Sequence, residues 1–473
     1  MISRRKMLAL TAAWGSFTKA FAAVPAKPSA AALQNKLGDK LVLKGAQGYE
    51  ALRQFSIFNA RKPKRYPEGI VMAETVDDVI DAVKLAAARG WKIGVRSGGH
   101  SWVASHTRDG AILINLSRMQ EMRIEPETMT AIVSPAVEGQ VLNAELQDKH
   151  KLMFPSAHGV GVGLGGFVMC GGHGWNARQW GPGCANLKAL DVVTADGRLI
   201  HADETTNSDY LWAARGSGPG FFGVAVRYYL QCHPMPPVMK RSTYVFPADV
   251  VDELVAWTRN NCNGFPKPLE VVLIGRKVDG APQLIVSCTA LGEEKEVVDA
   301  LAVMESMPFL AKAKVRRVNT PVQIPFRYEP ETEGQPAGSR FVVDNVWTSA
   351  PAEQLVPLMR QFFTDFPTPK SYAFWQCWGP VHKLEDMAYS VQGDVYLAAN
   401  AVYGDPADDA RCDAWAKGAM ERLQSISLGA QMNDDNMALR PDRYLSQPAA
   451  ARLEALKAKH DPHGRFVSFL RKA

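Results

Sequence analysis

No two of the seven cysteines, at 170, 184, 232, 262, 288, 377 and 412, are spaced as C-x-x-C. That excludes a thioredoxin-type redox pair and a cysteine-based zinc site, and an odd, scattered set reads as buried thiols rather than a disulfide framework. One bridge in an oxidising compartment stays open. Histidine is scarce as well, and His100 and His106 stand six residues apart with no further ligand pattern around them, so no metal site is assigned. Internal repeats and low-complexity tracts are absent. No apolar run approaches the roughly 20 residues that a bilayer-spanning helix requires.

An excess of one charge is also lacking. Residues 1–22 contain Arg4, Arg5, Lys6 and Lys19 and no acid, and these four account for four of the formal net charge of +6, leaving +2 on the rest. A chain so nearly balanced gives no reason to expect nucleic acid or an anionic membrane surface as partner. The leader has a pattern of its own. Ser3-Arg4-Arg5-Lys6-Met7-Leu8 resembles a twin-arginine export motif, Met7 to Phe17 is a weakly apolar core, and Ala20-Phe21-Ala22 fits a small-x-small cleavage site. The expected location is therefore periplasmic or secreted, by the route that exports folded proteins.

The remaining chain is long enough for two domains. From 45 to 235 helix-like and strand-like runs alternate. Thr75 caps a helix over Val76 to Ala88, with Asp78 three residues on and Gly90 near its end, and strands are expected at 91–96, 111–115, 130–134, 189–194 and 222–230. Pro234-Met235-Pro236-Pro237 punctuates the chain. Beyond it, strand-like runs at 270–274, 283–288, 340–347 and 372–378 alternate with helix-like pieces at 248–260, 293–305, 351–365 and 407–423. This predicts an α+β chain whose second domain, 236–435, is an antiparallel sheet with helices on one face. Residues 436–473 are expected to return to the first domain.

Two glycine-rich stretches organise the first domain. Arg96-Ser97-Gly98-Gly99-His100-Ser101 ends an apolar run, where small residues and backbone donors suit a nucleotide phosphate. The second runs from Phe154 to Trp175. Within it Gly161, Gly163 and Gly166 fit G-x-G-x-x-G, with Asp191 at about the distance of a ribose-binding acid, so a Rossmann turn is one reading. Gly171, Gly172 and Gly174 oppose it, since each costs a helix about 1 kcal/mol relative to alanine. An extended glycine ribbon along a large flat cofactor accounts for all of them.

The pairing of these stretches resembles the FAD-binding domain of the vanillyl-alcohol oxidase superfamily, of PCMH type, and within it the berberine-bridge-enzyme-like oxidoreductases. The resemblance continues through Ala189 to Gly197, Asn207 to Gly216 and Lys459 to Phe466. It implies FAD held by Arg96, Ser97, Gly98, Gly99, His100, Ser101, Gly161, Val162, Gly163, Gly165, Gly166, Gly171, Gly172, Gly174, Val224 and Asn433. It also implies a covalent bond from His100 to the flavin 8α-methyl group. The cysteine that forms a second bond in many members falls at Gly159 here, so a single linkage is expected, and neither Cys170 nor His158 replaces it.

The implied activity is oxidation of an alcohol or amine of a small organic substrate by hydride transfer to flavin, with oxygen or another acceptor taking the electrons. An aldonolactone-oxidase or glycolate-dehydrogenase type of enzyme, and a flavin-binding protein without turnover, remain as alternatives. The family's Tyr-x-Asn-Tyr stretch is Gln431-Met432-Asn433-Asp434 here, with both tyrosine positions changed. Asp434 is one candidate base. Tyr396 is another, with Tyr389 and Tyr403 on the same stretch; a solvated loop acid is the competing role for Asp434, and packing on the sheet for each tyrosine. Tyr372 to Trp378 suits a planar or aromatic substrate or a core strand.

Overall fold

The computed structural model describes residues 28–322, 336–379 and 383–470, so the leader expected over 1–22 lies outside the described residues. Four short strands begin the fold: β1 (Leu41–Leu43), β2 (Gly69–Met72), β3 (Lys92–Arg96) and β4 (Ala111–Asn115). They lie in the order β1-β2-β4-β3, with β2, β4 and β3 parallel and β1 antiparallel at the edge. The helix Val76–Arg89 makes the crossover. Thr75 and Asp78 form its capping box, and Gly90 closes it at φ 69°, where a side chain would be strained.

A second sheet holds β5 (Met122–Glu125) and β6 (Thr130–Val133). After the short β7 (Leu152–Met153) it continues with β8 (Leu187–Thr194), β9 (Leu199–Ala202) and β10 (Gly223–Gln231), in the order β5-β6-β10-β8-β9 and antiparallel throughout. β11 (His233–Pro234) pairs back onto β7. Val79, Ala82, Val83 and Ala86 of the helix share one core with Ile112 and Ile114 of the first sheet and Val193, Val224 and Val226 of the second. The helix is thus packed between two sheets.

The other half is one seven-stranded sheet, made of β12 (Val238–Pro247), β13 (Leu269–Val278), β14 (Ala281–Gly292), β15 (Val315–Pro321), β16 (Arg340–Thr348), β17 (Tyr372–Cys377) and β18 (Val395–Tyr403). The order is β15-β12-β14-β13-β17-β18-β16, with every neighbouring pair antiparallel. Four helices, Val251–Asn261, Glu294–Ala302, Ala352–Thr364 and Asp409–Arg422, bury the largest core against one face. Alternate residues reach that core: Val271 and Leu273 of β13, Val286 and Cys288 of β14, Ala373, Trp375 and Cys377 of β17, Leu397, Ala399 and Ala401 of β18. The intervening residues face the first half of the molecule.

The chain then returns. Helix Gln447–His460 lays the His460 ring flat over Phe222, with ring centroids 5.4 Å apart, and His460 Nε2 lies 3.0 Å from Asp209. The carboxylate of Asp461 accepts the N–H groups of Arg465 and Phe466. Ile93 N–H then donates to Arg465 O and Val467 N–H to Ile93 O, so residues 465–467 cover the free edge of β3.

Candidate functional site

A cavity of about 570 Å³ lies where the uncovered face of the seven-stranded sheet meets the two glycine stretches. Its size falls in the range of small-molecule sites. Arg96 to Ser101 leave the end of β3 and form one wall. Here the two backbones touch. A Cβ on Gly98 would stand 2.6 Å from Gly163 N, and one on Gly165 would stand 2.5 Å from Ser97 Oγ. Arg96 donates to Gly98 O at 2.9 Å and to Asn115 Oδ1 at 3.3 Å, but its buried Nε has no partner among the described residues.

His100 lines the cavity and stacks on Phe58, with ring centroids 4.1 Å apart. Burial pushes its pKa down to about 4, helped by the charge of Arg96 and opposed by a hydrogen bond to the Gly161 backbone. The imidazole is therefore neutral at pH 7. Val162, Gly163, Gly165, Gly166 and Asn433 also line the cavity.

Five of the residues expected to touch a cofactor do not line this cavity. Gly161 lies behind the His100 ring, where a Cβ would be 3.3 Å from Nε2. Gly171 packs on Tyr389, Gly172 on Phe167, and Gly174 on the Ser156 carbonyl. Val224 points into the core around helix Val76–Arg89, because strand alternation turns its neighbours Gly223 and Ala225 to the cavity instead. The extended ribbon is also corrected. Leu164–Met169 is a short helix that stops at Gly171 and Gly172, both at positive φ. No strand feeds directly into it, so it is not a Rossmann turn either.

Asp434 and Tyr396, separate candidates in the sequence, are bonded to each other. The Tyr396 hydroxyl donates to Asp434 Oδ2, and Trp102 Nε1–H donates to Asp434 Oδ1 at 2.7 Å. Burial raises the Asp434 pKa above the usual carboxylate range, and both donors pull it back. Burial and the adjacent Asp434 push the Tyr396 hydroxyl well above 10. All three side chains line the cavity. Tyr403 faces the helices and donates to Asp409 at 2.7 Å. Tyr389 precedes β18 and meets His173 Nε2 at 2.8 Å.

The short 3-10 turn Met432–Asp434 is held from β16. Asn345 Oδ1 accepts Gln431 N–H at 2.7 Å, and its Nδ2 donates to the carbonyls of Gln431 and Asp434. Below it, the buried Asp344 pairs with Arg440 at 2.7 Å and accepts from Asn436 Nδ2 at 2.8 Å. Gln431 Nε2 donates to Asn433 Oδ1 at 2.7 Å and to His173 Nδ1 at 3.2 Å. His173 must then carry its proton on Nε2 and donate it to the Tyr389 oxygen.

Of the segment Tyr372–Trp378, Tyr372, Phe374 and Gln376 face the cavity, while Ala373, Trp375 and Cys377 face the helices. His158 lines the other end, 3.1 Å from Glu270 Oε2 and with its ring 4.2 Å from that of Trp175. The thiol of Cys170 is pushed up to about 12 by burial and stays protonated. Sequence reasoning missed Trp102, His173, Glu270 and Arg241 as cavity residues. Trp102, two residues beyond His100, was within reach of it. His173, between Gly172 and Gly174, was equally close to named candidates, whereas Glu270 and Arg241 gave no signal, since only strand register brings them here.

Comparison with known proteins extends these observations. A family profile described as the FAD binding domain matches residues 67–203. The chain is 34% identical over 422 residues to the FAD-linked oxidoreductase nodO of Hypoxylon pulicicidum, covering 87% of this chain and 92% of that protein. Among solved structures it is similar to 6-hydroxy-D-nicotine oxidase of Arthrobacter nicotinovorans, with a TM-score of 0.77, 20% identity and coverage of 90% and 96%. It is also similar to the BBE-like 1 protein of Physcomitrella patens, with a TM-score of 0.78, 18% identity and coverage of 93% and 98%.

Proposed function

Because the chain belongs to the FAD-linked oxidoreductases, we propose that it is an exported enzyme oxidising an alcohol or amine of a small organic molecule, with its FAD attached through His100 alone. The residues present fit the cofactor. The orphaned Nε of Arg96 and the contact of Gly98 with Gly163 suit a close phosphate-bearing ligand. FAD, when bound, supplies the hydride acceptor. His100 presents a neutral, nucleophilic imidazole to the cavity, whereas Gly159 has no side chain and the Cys170 thiol is protonated.

The observation that carries the reading is the Asp434–Tyr396 pair opening on the cavity. Asp434, with one donor on each oxygen, has lone pairs left to take the proton from a substrate O–H or N–H. Tyr396 and Trp102 hold the carboxylate in place. A phenol whose pKa is raised and whose proton is already directed at Asp434 is not the base. Asn433 remains, by family resemblance, a contact for the flavin.

Flavin bleaching on addition of alcohols and amines, measured with and without air, tests the activity and reports the acceptor. An unbleached flavin across the whole set overturns it. Denatured protein on a gel should fluoresce under ultraviolet light, and His100→Ala should lose that band. Export rests on Arg4 and Arg5, whose replacement by lysine should strand the protein in the cytoplasm. Unaltered export of that variant rejects the route.

A further inference from the structure

We propose that Arg241 is a specificity-determining residue that binds a carboxylate of the substrate, at the opposite end of the cavity from Asp434. The proposal rests on the cavity being the substrate site of an FAD-linked oxidoreductase. Strand register places Arg241 of β12 opposite Thr289 of β14, and Thr289 opposite Glu270 of β13. All three line the cavity.

Arg241 is half-buried, and its one hydrogen bond among the described residues runs from Nε to Thr289 Oγ1 at 3.3 Å. It has no ion pair among them. The acid whose charge it feels is Glu270, but both Glu270 oxygens are engaged: Oε2 with His158 Nε2 at 3.1 Å, and Oε1 with Asn176 N–H at 2.7 Å. The terminal nitrogens of the guanidinium are left to the cavity. Arginine stays charged there, and a charge partly out of water with no direct ion pair of its own is unfavourable. A planar carboxylate matches its fork with two parallel hydrogen bonds. A phosphate dianion fits less well, since the Glu270 charge lies in the same row.

The rest of the sheet face sets the remainder of the molecule. Thr289, Glu270, Val272 and Gln376 lie between Arg241 and Tyr396 on that face, with the apolar Ile274 and Phe374 in the neighbouring row. Arg241 and Tyr396 stand on strands four places apart in the order β12-β14-β13-β17-β18, about 19 Å at the usual strand spacing. The substrate is therefore an elongated acid whose middle passes over Val272 beside the Ile274 and Phe374 row, oxidised at the end away from its carboxylate.

The test is titration calorimetry of the purified, flavin-containing protein with 3-phenylpropanoate, 3-phenylpropanamide and phenyl phosphate. The acid should bind at least about 10-fold tighter than the amide. Arg241→Gln should abolish that preference, and Arg241→Lys should keep part of it, with unchanged visible flavin absorbance in both. Equal binding of acid and amide, or no binding of either, overturns the proposal in the unaltered protein without recourse to any variant. So does tighter binding of phenyl phosphate than of the acid, or loss of flavin from Arg241→Gln. A preparation that carries no flavin at all fails the enzyme reading instead, whatever it does with the acid.

Discussion

Asp434 holds a charge that folding disfavours. Its folded pKa lies above the unfolded value, so its ionised form costs stability at pH values above the unfolded pKa, and the cost disappears below it. A carboxylate kept at that cost is suited to proton transfer rather than to structure. Asp434→Asn should slow anaerobic flavin reduction by at least about 100-fold, the typical worth of a positioned base. The same variant should melt no lower than the parent at neutral pH, which separates lost chemistry from lost folding. Tyr396→Phe removes one donor from the carboxylate, so the Asp434 pKa should rise further and the rising limb of the rate profile should move to higher pH. A Tyr396→Phe enzyme slowed by about 100-fold at every pH, beside an Asp434→Asn enzyme at the parent rate, would make the tyrosine the base.

The element that delivers Asp434 is the turn Gln431–Asp434, too short to hold itself. Its position is set from β16 by Asn345, and beneath that by the buried Asp344–Arg440 pair, whose side chains are 2% and 5% exposed. Arg440 also donates to Asn345 O at 2.6 Å, so pair and turn are one network. Asp344→Asn leaves a buried guanidinium short of its main counter-ion, a change that typically costs about 3–5 kcal/mol. The remaining contact with Asp442 should put it toward the lower end. Denaturant unfolding should show the loss, and the surviving folded enzyme should bleach more slowly because Asp434 is less well placed. An unchanged midpoint would mean that the turn is held by its other contacts.

The whole molecule encloses histidines that must remain neutral. His106 is buried against Ser56 O at 2.9 Å and its pKa is driven down to about 3, while His233, with Asn186 as its partner, is driven down to about 4. Below pH 6.5 the unfolded chain takes up protons that the folded chain refuses. The histidine contribution to stability should therefore be flat above that pH and fall as pH drops towards about 3, each such histidine contributing a loss of about 1.4 kcal/mol for every pH unit between its unfolded and folded pKa values. Melting temperature against pH checks this, and His106→Gln should make the acid side less steep. An equally steep acid side in that variant would assign the loss to other groups. Closure of the fold bears on the same region, because Phe466 and its neighbours pair with Ile93 on the strand that leads to the His100 loop.

The sequence by itself determined what local chemistry determines. Thr75, Asp78 and Gly90 mark both ends of one helix, alternation separates strands from helices in the second half, and the glycine stretches with their family resemblance point to FAD. The second half was less legible: the mixed residues of β12 and β15 give no periodic signal, although β12 carries Arg241. Only the tertiary structure decided how the face is composed. A period of two says that Val272 and Leu273 face opposite ways, but not that Thr289 stands beside Glu270 or that Tyr396 stands beside Gln376. It likewise turned the Val224 side chain into the core and Gly223 towards the cavity. Trp102 and Asp434 are 332 residues apart and share one hydrogen bond. The character of Asp434 as a base comes from that burial and those donors, which belong to packing between distant segments and leave no trace in the order of neighbouring residues.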